Sequence, residues 1–120
     1  MAEPLRARLQ TGLRRAVKTR DTDAVAALRS ALGAIDNAEA VPSPASATGL
    51  TAGPIAGARR GAGAGDAPRR NLSEDDIRAI VVAEIAELRA SAAQYRRLGR
   101  HQQAERLGNR ADLLDGLLSA

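Results

Sequence analysis

The chain has 120 residues and a formal net charge of +4, a length that suits one domain or less. It has no cysteine, which excludes disulfides, thiolate metal sites and a cysteine nucleophile, and no apolar run fits a membrane span or the hydrophobic region of a signal peptide. Its hydrophobic residues are mostly Ala, Leu, Val and Ile, with Tyr95 the one aromatic, so its core is aliphatic and the composition favours helices over sheet.

The first helix is predicted over residues 4–19. Pro4 suits a first helical turn, where its missing N–H has no partner to lose. Leu5, Leu9, Leu13, Ala16 and Val17 repeat at helical spacing, and Gly12 weakens the helix by roughly 1 kcal/mol relative to Ala. Arg14, Arg15, Lys18 and Arg20 fall in the last turns, where cations suit the helix dipole; a phosphate contact is the rival reading. Asp21-Thr22-Asp23 reads as a short turn in which Asp21 or Thr22 caps the next helix.

The second helix is predicted over 23–40, with Val25, Leu28, Leu32 and Ile35 as its apolar stripe and Ala24, Ala31 and Ala38 beside it. So short a connection makes the pair an antiparallel hairpin. At its end Asp36, Asn37 and Glu39 are not needed for packing. Local hydrogen bonds that finish the helix and a partner contact are the two readings for them.

Residues 41–71 are read as a flexible linker. Eight Ala, six Gly, four Pro, two Ser and two Thr fill 22 of the 30 positions from 41 to 70, a tether composition. The net charge is +2 over residues 1–40, +3 over 41–71 and −1 over 72–120. The excess therefore sits in the linker, whose Arg59-Arg60 and Arg69-Arg70 pairs admit a second reading as an RNA tether.

A third helix is predicted over 74–98. Ser73 is its N-cap, Asp76 a shortened capping-box partner, and Leu72 with Ile77 a hydrophobic staple. Ile77, Ile80, Val81, Ile85, Leu88, Ala92 and Tyr95 share its apolar face, and Gly99 supplies the left-handed residue that stops it. A fourth helix, 101–118, turns Ala104, Leu107, Ala111, Leu114, Leu117 and Leu118 inward, with a bend marked at Gly108-Asn109. The fold class expected is all-α, two antiparallel helical hairpins packed as a small four-helix bundle within one domain, 1–120.

Catalytic groupings are not found. His101, the only histidine, reads as an exposed capping residue, and one His without partners makes no metal site. Glu84 and Glu87 read as surface charges. The Gly-rich stretch has neither the GxxxxGK-Ser/Thr nor the GxGxxG pattern, so no cofactor, metal or catalytic residue is assigned. The candidate binding residues are basic. Arg96, Arg97 and Arg100 surround the last turn, while Arg106 and Arg110 share a face at i,i+4. Together they make a positive strip, and the competing reading pairs them with Glu105, Asp112 or Asp115. Tyr95 reads as core, and stacking of single-stranded RNA is disfavoured for want of aromatics.

Two stretches carry a family resemblance: LQTGLRRAVKTRDTDAVAALRSALGAIDNAEAV from Leu9 to Val41, and LSEDDIRAIVVAEIAELRASAAQYRRLGRHQQAERLGNRADLL from Leu72 to Leu114. In their order and spacing they resemble the GatB/YqeY family, small helical proteins similar to the C-terminal part of the B subunit of tRNA-dependent amidotransferase. Asn37 and Glu39 stand at signature positions. The resemblance implies a helical adaptor that binds tRNA or a tRNA-handling protein; the want of catalytic groupings makes it non-catalytic, and the want of a membrane or secretion segment places it in the cytoplasm as an expectation. A protein–protein module without RNA contact is the alternative. A carbon–nitrogen ligase would follow from the family name alone. The family's further C-terminal helical tail, implicated in contacting tRNA, has no counterpart in residues 115–120.

Overall fold

The computed structural model describes residues 3–40 and 71–120. The described residues are all-helical: four α-helices, α1 Leu5–Thr19, α2 Thr22–Glu39, α3 Glu74–Arg97 and α4 His101–Ser119, with no strand among them. Each helix end lies within one residue of its sequence expectation. Residues 3–35 and 72–120 belong to one compact unit; residues 36–40 and 71 belong to a second. The linker reading falls, Asn71 aside, outside the described residues.

Local chemistry sets the helix ends. At the end of α1 the Asp21 N–H donates to the Ala16 carbonyl at 3.0 Å and the Arg20 N–H to that of Val17 at 3.2 Å, the two bonds of a Schellman motif. Its left-handed residue is Arg20, at φ 59°, where glycine is the usual occupant. Asp21 then starts α2, its Oδ1 accepting from the Ala24 N–H at 3.1 Å, so Asp21 rather than Thr22 is the N-cap. The α3–α4 turn repeats the design with the expected glycine: Gly99 at φ 78°, its N–H on the Arg96 carbonyl at 3.0 Å and that of Arg100 on Tyr95 at 2.9 Å. Ser73 and Asp76 form a reciprocal capping box at the start of α3, both bonds 3.0 Å.

All four helices contribute to one apolar cluster, with Leu5 and Leu9 from α1, Leu28, Ala31 and Ile35 from α2, Ile77 and Val81 from α3, and Ala111 and Leu114 from α4. Ala92 and Ala104 are buried outside that cluster. No polar or charged residue among those described is buried as a whole, although Arg6 Nε and Nη2 and Arg8 Nε are shielded from solvent. Hydrogen bonds between helices instead ring the core. Glu74 Oε2 accepts from the Leu5 N–H at 3.1 Å, so a carboxylate in the first turn of α3 also caps the start of α1. Arg8 donates to the Ala120 oxygen, Ser30 Oγ to Glu84 at 2.9 Å, and Arg78 to the Leu118 carbonyl at 3.2 Å.

Two apolar assignments change. Val17 is 50% exposed, because it lies about 100° round the helix from buried Ala16. Tyr95 is only partly buried. The bend expected at Gly108-Asn109 does not interrupt α4, which is helical through both residues.

The glycines separate by backbone geometry. A methyl group at Gly12 would meet Leu28 Cδ1 at 3.5 Å and Leu117 Cδ1 at 3.7 Å, ordinary van der Waals contact, and one at Gly108 would meet nothing within 4 Å. Gly108→Ala should therefore raise stability by about 0.5–1 kcal/mol through helix propensity and a less flexible unfolded chain. Gly99→Ala, forced into a left-handed conformation, should lower it by about 1 kcal/mol. Thermal melts followed by circular dichroism check both, since 1 kcal/mol moves the midpoint by roughly 4–8 °C in a domain of this size.

Candidate functional site

The five candidate arginines occupy one stretch of α3 and α4 but divide into two groups. Arg96 and Arg97 are the last residues of α3 and Arg100 follows Gly99. All three are exposed, and none of the described ion pairs involves them. The left-handed Gly99 folds the backbone back so that these guanidinium groups leave from a single turn. Glu105 is the only carboxylate between residues 90 and 106.

Arg106 and Arg110 are held by Asp23, in the first turn of α2. Arg110 places Nε at 3.0 Å and Nη2 at 2.8 Å from Asp23 Oδ1, and Arg106 Nε reaches Oδ2 at 3.4 Å. The ion-pairing reading is thus realised with a different acid from those expected. Asp112 and Asp115 face Arg89 instead, at 3.6 Å and 3.4 Å. Sequence spacing along α4 could not show Asp23, which lies 83 and 87 residues away. The Arg110 hydrogen bond, joined by that of Arg106 and by both positive charges, holds the Asp23 carboxyl below its ordinary value against the opposing effect of burial.

Arg110 meets the start of α2, and the nine residues of α4 before it rise about 14 Å toward the α3–α4 turn. Among the described residues no hydrogen bond or ion pair from α1 or α2 reaches residues 90–105. Ala92 and Ala104 are the buried residues of that stretch. An open cleft of about 190 Å³ lies beside it, lined by Tyr95, Gln103, Arg106, Leu107 and Arg110. A second depression of about 300 Å³ is lined by Ser91, Gln94, Tyr95 and Leu98, with Leu98 68% exposed.

No group of three or more His, Asp or Glu side chains among the described residues is placed to hold a metal ion. His101 is exposed at the first position of α4. Glu84 is occupied by Ser30 and Glu87 is exposed; no described histidine hydrogen bond completes a nucleophile–base pair. Asn37 and Glu39 lie in the last turn of α2, within the second unit, where Asn37 is exposed and Glu39 partly buried. No helix among the described residues is long and apolar enough to cross a membrane.

Replacing Asp23 with Asn should cost about 1 kcal/mol, the scale of a charge-assisted hydrogen bond discounted for partial exposure. Because the folded pKa of Asp23 is lowered, its contribution is present above the unfolded carboxylate range and fades as pH falls through the lowered value. Urea titrations at pH 7 and at progressively more acidic pH should show the wild-type advantage over Asp23→Asn shrinking only at the acid end. No family model matches the chain, nor does any of the curated proteins or solved structures with which it was compared.

Proposed function

We propose that this chain is a non-catalytic helical adaptor of the GatB/YqeY type that its sequence resembles, contacting tRNA through the α3–α4 turn. In this reading α1–α2 and α3–α4 are two antiparallel hairpins packed as a small four-helix bundle, with residues 41–71 as the tether between them. The observation that supports it is the division of the arginines. Arg106 and Arg110 share the single Asp23 carboxylate, whereas Arg96, Arg97 and Arg100 leave one turn exposed and outside the described ion pairs. Three guanidinium groups around one turn suit phosphate oxygens, which Arg binds through a planar fork of donors.

A protein–protein module without RNA contact is the second reading. The slight negative balance of residues 72–120, −1, favours it, since nucleic-acid binding domains usually carry a clear basic excess.

An electrophoretic titration with total tRNA at several salt concentrations separates the two. Three neutralised phosphates give a slope of about −2.7 in log affinity against log salt for a duplex contact. Replacing Arg96, Arg97 and Arg100 with Glu should abolish binding, and wild-type protein that shows no salt-sensitive binding at micromolar concentration would sink the RNA reading. Loss of binding on deletion of residues 44–68 instead assigns the contact to the arginines of that segment.

A further inference from the structure

The cleft beside Tyr95 joins three chemistries in a small space. Tyr95 offers an aromatic face that the core only partly covers, Leu107 an apolar wall, and Gln103 an amide with both donors and an acceptor. Arg106 lines the same cleft and is 60% exposed. It engages Asp23 through Nε alone, at 3.4 Å, which leaves its terminal amino groups for another anion. Aromatic face, amide and guanidinium match the base, the base edge and the phosphate of a nucleotide.

We infer that this cleft takes one unpaired base of a bound RNA, stacked on Tyr95, its edge on Gln103 and its phosphate on Arg106. The inference rests on the RNA reading above and adds to it a single-stranded element next to the Arg96–Arg100 turn. A stack of several bases is not required: one ring accommodates one base. The paucity of aromatics that argues against a stacking platform in the sequence thus leaves a single-base site intact.

Tyr95 is the only aromatic residue of the chain, so tyrosine emission reports on the surroundings of this one side chain. The full chain is titrated with an RNA hairpin bearing a short single-stranded 3′ tail and with the same hairpin made blunt. The tailed RNA should bind about tenfold more tightly, within the range of one base–aromatic stack, and should quench tyrosine emission. Tyr95→Leu should bring the tailed RNA down to the affinity of the blunt one, while Tyr95→Phe keeps the difference. Equal binding of the two RNAs, with emission unchanged and binding still abolished by the Arg96, Arg97 and Arg100 substitutions, overturns the base site and leaves the RNA contact standing. Binding of neither RNA overturns both. If Tyr95→Leu melts at room temperature, the wild-type affinity ratio and quenching decide the matter on their own.

Discussion

Everything in this fold depends on an apolar core built without aromatic side chains. The fully buried residues of the described chain are alanines, leucines, isoleucines and a valine, with no aromatic among them. An alanine side chain removes little apolar area from water, and hydrophobic stabilisation scales with that area. Helices faced with alanine must also approach closely before they touch, since the interaxial distance follows the side chains at the contact. The core therefore gains from many small contacts.

Polar interactions are accordingly placed at helix ends and along the rim. Two acids from first turns act in the same way. Glu74 belongs to α3 yet receives the first N–H of α1, and Asp23 belongs to α2 yet gathers Arg106 and Arg110 of α4. Each sits near the positive end of its own helix, where a carboxylate is already favoured, and adds a bond to a second helix. By engaging Arg110 through two nitrogens and Arg106 through Nε alone, Asp23 also sets how much of each guanidinium remains available, so the rim that fixes the packing shapes the charged surface too.

What was legible in the sequence was local. Helix bounds, the Ser73–Asp76 box, the Asp21 cap and the left-handed Gly99 each follow from residues within a few positions of one another. Arg20 in left-handed geometry carries no such signal, because the residue expected there is glycine. The partners of Arg106 and Arg110 were hidden for a different reason. Spacing on one helix names neighbours on that helix, whereas Asp23 is supplied by tertiary packing. Tyr95 is only partly buried, because a stripe gives the direction of a side chain but not how completely its neighbours cover it. The five arginines were legible as a basic group; their division into held and available sets was not.

The bond from Leu5 to Glu74 spans 69 residues and those from Asp23 to α4 span 83 and 87, while the two turns close within a few residues. Formation of the native state thus combines fast local steps with one long closure. Its entropic cost grows only with the logarithm of the intervening length, about 0.6 kcal/mol for each doubling. Evolution can consequently lengthen or trim the stretch between α2 and α3 at little thermodynamic expense.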